Sequence, residues 1–321
     1  MKLSELVHYL NQIDHLLQHH AETAVFNEIC PLHHLVTTHH IQFPNYSNVV
    51  DFNLKQVGQS LERFDKSISS LRTTLTFEID RMSEQYFDES YKNYQDAKTQ
   101  DTVDYILNRK LFLSADSQEF VFGRLSKYSD WRYPGLIFRP GTEEWINLLV
   151  GLDPLYVVDE QMELLKPLEK KFNPQYLDRL RMYPIDETPD QKILDQLPDS
   201  QFAFALAYNY FNYKPVEIIA RYLNEVFTKL KPGGIFAFTF NNCDKSYGVE
   251  LVERKYMCYT PKSIVLEKIK QFGFEMELEK DLDASNTWIE VKKPGTLSTF
   301  RGGQTLAKII DKSFEISNNK Q

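Results

Sequence analysis

At 321 residues and 42% hydrophobic content, the chain is long enough for two domains and apolar enough to fill a core. A net charge of −8 argues against a surface that neutralises nucleic-acid phosphates, no run of about 20 apolar residues offers a membrane span, and Met1 to Leu17 lacks the apolar core of a signal peptide. Cys30, Cys243 and Cys258 have no paired spacing, which points to reduced thiols in a cytosol-like compartment.

Residues 1–130 read as a helical domain or arm. Leu54, Val57, Leu61, Phe64, Ile68, Leu71 and Leu75 alternate spacings of three and four, a heptad seam that runs on more loosely through Ile79, Met82 and Tyr86. A helix over 54–86 would be about 50 Å long. Two readings stand. One is a long helix packed as an antiparallel hairpin against a helix over 3–29. The other is a coiled coil that joins copies of the chain into a homo-oligomer. Asn45 to Val50, after Pro44, reads as the hairpin loop.

All eight histidines fall within the first 40 residues. His15 and His19 are four apart on the predicted helix, and His19-His20, His33-His34 and His39-His40 are adjacent pairs. No Cys or Asp stands in register to complete a metal site, so no metal is assigned and the helix reads as solvated or partner-facing. Thr102 to Leu113 and Ser117 to Tyr128 are shorter amphipathic helices, with Asp116 placed to cap the second. Trp131-Arg132-Tyr133-Pro134 marks a boundary.

From Gly135 the pattern becomes alternating strands and helices, the signature of a doubly wound α/β sheet. Strands are expected over 136–138, 155–158, 180–183, 201–207 and 234–240, and helices over 142–150, 161–172, 191–197, 216–230 and 261–271. The fourth helix ends in Pro232-Gly233-Gly234, where glycine supplies the positive φ that closes a last turn. The strand after it has no polar face, as in a parallel sheet covered on both sides. Two further strands, over 274–280 and 287–292, have only 281–286 between them. A parallel pair needs a crossover of about a dozen residues, so these two are expected to be antiparallel. That ending, and the missing G-x-G-x-x-G, argue against a nucleotide-dependent oxidoreductase. The α/β domain is set at 131–296, and 297–321 is a tail with a short helix.

The phrase from Leu230 to Phe240 and the terminal hairpin resemble the class I methyltransferases that use S-adenosylmethionine. The stretch Trp131 to Gln304 is also similar to a group of methyltransferase-like proteins of tailed phages, including phages of marine bacteria. That likeness is carried by Asp130-Trp131-Arg132-Tyr133-Pro134-Gly135-Leu136, Asp153-Pro154-Leu155-Tyr156, Phe211-Asn212-Tyr213, Asn241-Asn242-Cys243 and Gly303-Gln304-Thr305-Leu306. It implies a Rossmann-like methyltransferase sheet, S-adenosylmethionine as cofactor, and a place in the host cytoplasm or on the virion.

Matched onto the family pattern, Ile137 stands for the acid that ends the first strand, Arg139 for the first glycine of the loop and Glu143 for the third. Of the three glycines only Gly141 is kept. Arg139 either binds the cofactor's carboxylate or fills the pocket. Asp159, 18 residues after Gly141, has the spacing of an acid that takes ribose hydroxyls, with capping of the next helix as its other role. The resemblance puts Asp186 beside the adenine.

It also puts Tyr208-Asn209-Tyr210-Phe211-Asn212-Tyr213 at the transferred methyl group. There Asn209 would accept a bond from an amine or hydroxyl nucleophile, with Tyr208 or Tyr210 packed against it. The Pro-Pro of adenine and glutamine methyltransferases is absent, so that acceptor class is not assigned. Turn chemistry alone is the other account of this stretch and of Asn241-Asn242-Cys243-Asp244. The resemblance thus implies an S-adenosylmethionine-dependent methyltransferase with an unknown methyl acceptor; the alternative is a catalytically degenerate relative with a structural, assembly or interaction role.

Overall fold

The computed structural model describes residues 2–22, 47–97, 114–141, 143–255 and 257–298. The helix expected over 102–113, the pairs His33-His34 and His39-His40, and the tail helix lie outside the described residues.

Two long helices come first, α1 (Leu3–Glu22) and α2 (Ser47–Ala97). At 51 residues, α2 is longer than the heptad pattern marks. It begins inside the expected hairpin loop, because Ser47 to Val50 are already helical. The two helices run antiparallel. Asp14 of α1 pairs with Arg72 at 2.6 Å, while Ser4 and Tyr86 share the carboxylate of Glu253. Helix α3 (Ala115–Tyr128) follows, and its cap is Ser114 rather than Asp116. The Ser114 hydroxyl accepts from Ser117 N at 3.2 Å, and Asp116 sits in the first turn, where a carboxylate favours the helix dipole.

The remainder is a seven-stranded sheet in the order β3-β2-β1-β4-β5-β7-β6. In chain order it is built from β1 (Gly135–Phe138), α4 (Glu143–Leu148), β2 (Leu155–Asp159), α5 (Met162–Glu169), α6 (Pro174–Leu177), β3 (Leu180–Pro184) and β4 (Phe202–Ala207). Then come α7 (Val216–Lys229), β5 (Leu230–Asn241), α8 (Ser246–Glu253), α9 (Lys262–Gln271), β6 (Glu275–Asp281) and β7 (Asn286–Lys292). Strands β1 to β5 are parallel, and β7 is antiparallel to both β5 and β6. This is the Rossmann-like methyltransferase sheet with its antiparallel ending.

Alternation decides the two layers, because successive strand residues point to opposite faces. Leu136, Phe138, Phe236 and Phe238 face α7 and α9, where they meet Ile219, Tyr222, Val226 and Ile269. Ile137, Val157, Phe204 and Leu206 face α3, α4 and α5, where they meet Val121, Leu125, Trp145 and Leu165. A third cluster docks the arm: Leu3 and Val7 of α1 and Ile79, Met82 and Tyr86 of α2 pack on Val249, Val252 and Tyr259.

Two local expectations fail for physical reasons, and one helix lies where none was expected. The turn over 191–197 is not a helix. Glu225 of α7 accepts from the backbone N–H of Ile193 and Leu194, at 2.9 and 2.7 Å, and Pro198 bars continuation. Helix α7 ends without glycine, since Leu230 is already extended. The positive φ of Gly233, +80°, serves the irregular start of β5, where a Cβ would lie 2.4 Å from the Leu297 nitrogen. Helix α8 was not expected at all. Its Gly248 fits only because a Cβ would stand 2.2 Å from the Asn242 carbonyl oxygen.

Candidate functional site

In an open α/β sheet the ligand crevice lies past the carboxyl ends of the strands, where the strand order reverses. Here that point is β1, flanked by β2 and β4. Phe138 is in register with Val158, so the next residues, Arg139 and Asp159, leave the sheet side by side. Arg139 N donates to the Val158 carbonyl at 2.9 Å. The Arg139 backbone has φ 39° and Gly141 has φ 68°, so the loop keeps two left-handed residues although one carries a long side chain.

Arg139 turns that side chain onto Asp159. Its Nε lies 3.1 Å from each carboxylate oxygen, and its Nη2 lies 2.9 Å from Oδ1. Oδ1 also accepts from Gln161 N at 3.0 Å, so Asp159 turns the chain into α5 as well. The Asp159 side chain is 1% exposed.

The fork belongs to a larger buried cluster that sequence reasoning missed. Arg139 Nη2 reaches Glu160 at 3.3 Å. Lys214, 3% exposed, pairs with Glu160 and, at 2.7 Å, with Glu187. The Tyr210 hydroxyl lies 2.8 Å from Glu160 and 2.6 Å from the Tyr222 hydroxyl, which donates to Glu187 at 2.6 Å. The Arg139 guanidinium lies over the Tyr210 ring at 5.2 Å, and the Lys214 ammonium lies over it at 4.7 Å. From the arm, the ring of Tyr94 of α2 joins the cluster, 5.3 Å from the same ammonium.

These charges act on one another. Burial alone would raise the Glu160 carboxyl, but Lys214 and Arg139 beside it hold it down at about 2. Burial disfavours the Arg139 cation, yet Asp159, Tyr210 and Glu160 outweigh it and raise its pKa. The Tyr210 hydroxyl is pushed well above its usual range by burial and then by Glu160 and Glu187. It is thus a phenol at neutral pH, able to donate but unfit as a base.

The other sequence candidates do not gather here. Tyr208 stacks on Trp145 at 4.1 Å, on the opposite face of the sheet from Tyr210. Asn209, at φ 50°, donates its backbone N–H to the Thr239 hydroxyl at 2.7 Å. Asp186 is exposed and accepts from Thr188 N and Oγ1, at 2.9 and 2.7 Å, in a local turn. A groove of about 530 Å³ between α2, α7 and α9, lined by Glu84, Phe87, Asp88, Glu217, Ile264 and Lys268 among others, shares no residue with the buried cluster.

S-adenosylmethionine, the cofactor the resemblance implies, does not fit this arrangement. A carboxylate takes the ribose hydroxyls with free lone pairs, but Oδ1 of Asp159 already accepts from Arg139 and Gln161 N and Oδ2 faces Arg139 Nε, so Arg139 blocks that approach unless it moves.

The chain matches no protein-family model and no curated protein. Among solved structures it is similar to an S-adenosylmethionine-dependent methyltransferase from Clostridium acetobutylicum, with a TM-score of 0.45 and 14% identity over 57% of this chain and 94% of that one. A methyltransferase from Aquifex aeolicus gives 0.40 and 14% over 55% and 89%, and the [4+2]-cyclase SpnF gives 0.43 and 13% over 59% and 85%. The strand order, rather than these likenesses, establishes the fold.

Proposed function

We propose that this chain is a catalytically degenerate methyltransferase-fold protein with an assembly or interaction role. In this reading the ligand end of its sheet holds a helical arm and an internal ion cluster in place of a cofactor. One observation carries it: Asp159 is gripped in a fork by Arg139, which stands in the place of a loop glycine. The arm supports it, because α2 is fastened to that end of the sheet. The buried Ser90 hydroxyl accepts from Tyr259 N at 2.8 Å, and Tyr94 joins the main core. Leu71 and Phe77 stay exposed on α2, where a second copy or another protein would meet them. The sequence resemblance to tailed-phage proteins would set that role in an infected host's cytoplasm or on the virion.

A second reading, a working S-adenosylmethionine-dependent methyltransferase with an unknown acceptor, is favoured by one feature. The backbone at Arg139 and Gly141 keeps the left-handed shape that glycines give such a loop, so only a side chain would have to move. Calorimetric titration of the purified protein with S-adenosylmethionine and S-adenosylhomocysteine separates the two. No heat of binding at millimolar ligand is expected. Micromolar binding of either compound would establish the second reading.

A further inference from the structure

The groove of about 530 Å³ between α2, α7 and α9 stands apart from the buried cluster, so what fills it is independent of whether the sheet binds a cofactor. Its floor is apolar, built from Phe87 of α2, Val216 of α7 and Ile264 of α9. Its edges are charged. Glu84 and Asp88, four apart and both exposed, stand along α2, and Lys268 stands on α9. A third carboxylate, Glu217, comes from α7. The described chain ends near the same helix. Lys293 donates to the Leu230 carbonyl at 2.8 Å and lies over the Phe227 ring of α7 at 4.9 Å. The Leu297 backbone runs against Gly233. Ser298, the last described residue, therefore lies by the carboxyl end of α7.

Residues 299–321 lie outside the described residues, and their sequence matches the groove in shape and in charge. Leu306, Ile309, Ile310 and Phe314 recur at the spacing of one helix face. On a helix, Lys308 and Lys312, four apart, border that face on one side, and Asp311 and Glu315, four apart, border it on the other. The lysine pair repeats the spacing of Glu84 and Asp88 with the sign reversed, and the acidic pair has its counterpart in Lys268. Arg301, Lys308, Lys312 and Lys320 outnumber the segment's two acids, whereas acids outnumber the single base in the groove. The reach suffices. The 14 residues of α7 rise about 21 Å, and the seven residues 299–305, extended, span up to about 23 Å. We propose that this groove is the docking site of the chain's own segment 305–315, seated as an amphipathic helix with its apolar face on Phe87, Val216 and Ile264 and its lysines against Glu84 and Asp88.

The test begins with the unaltered full chain and a carbodiimide, which joins a carboxylate to an amine it touches. Peptide mass spectrometry of the monomer band is expected to find Glu84 or Asp88 joined to Lys308 or Lys312, and Asp311 or Glu315 joined to Lys268. Absence of these links while Asp88 still couples to Lys92, four residues on along α2, overturns the proposal. Links found in the dimer band alone overturn it as well, and make a second copy's segment the occupant. Hydrogen exchange of residues 305–315 supplies the second reading. Lys308→Glu with Lys312→Glu removes two exposed ion pairs and should speed exchange there about fivefold. Adding Glu84→Lys with Asp88→Lys reverses both sides and should restore the slow rate. Exchange that the tail variant leaves unchanged, or that the combined variant fails to slow, counts against the docked segment. None of these readouts involves S-adenosylmethionine, so failure here leaves the preceding reading untouched.

Discussion

The Arg139–Asp159 pair makes a quantitative claim that a double-mutant cycle can test. Asp159→Asn keeps the shape of the side chain and an acceptor for Gln161 N, but it removes the charge that faces the fork. Breaking a buried pair by removing one partner costs about 3–5 kcal/mol, because the other charge stays buried and uncompensated. The low end applies here. Arg139 would still have Glu160 at 3.3 Å and the Tyr210 ring at 5.2 Å. We therefore expect about 3 kcal/mol for Asp159→Asn, or a melting temperature lower by about 6 °C. Arg139→Gln should cost a similar amount. The double variant should cost clearly less than both together, with a coupling of about 2 kcal/mol. Urea unfolding followed by circular dichroism measures all four proteins without added salt. Additive costs, or a change below about 0.5 kcal/mol for Asp159→Asn, would mean that Arg139 is not locked onto the acid, and the account of the site would fall with it.

Two further outcomes follow from the same packing. The folded-state pKa of Glu160 is held at about 2, below the unfolded value near 4.5, so its contribution is complete above pH 4.5 and is lost as pH falls from there toward 2. The shift corresponds to about 3 kcal/mol, and the urea midpoint of Glu160→Gln should vary less across that window than that of the wild type; parallel curves would contradict it. Ser90→Ala leaves the buried Tyr259 N–H without its acceptor and should cost about 1–3 kcal/mol, with faster hydrogen exchange in α2 around residues 82–94. An unchanged exchange pattern there would show that α2 is not fastened through Ser90.

The sheet was legible because its strands obey a period of two on both faces. Phe202 to Ala207 are all buried, and the alternating aromatics at Phe236, Phe238 and Phe240 meet one layer while Ile235 and Ala237 meet the other. The antiparallel ending was legible from connection length alone. What failed was wherever tertiary contact overrode a local signal. Glu225 captured the N–H groups that a helix over 191–197 would have used, and Gly233 served a close approach to Leu297 rather than a helix end. The heptad seam gave the long helix but not its full length. Its later part is fixed by Ser90 and Tyr94 against the sheet, contacts that no heptad encodes.

Arg139 and Asp159 could be found in the sequence because each ends a strand and neighbouring parallel strands bring their ends together. Lys214, Glu187 and Tyr94 could not, since each arrives from a different loop or from the arm. Arg139 is not a chance rim arginine, because the full cluster engages it. A chance arginine at a rim position would turn toward water, because an isolated buried charge costs several kcal/mol. This one accepts a left-handed backbone, worth roughly 1 kcal/mol of strain, and points inward onto the Asp159 carboxylate. Glu160, in turn, is needed by Arg139, Lys214 and Tyr210 together. Removing Arg139 or Lys214 leaves its carboxylate partners without a counter-charge among aromatic rings. The cluster is therefore an interlocked set of partners rather than a lone arginine at a rim.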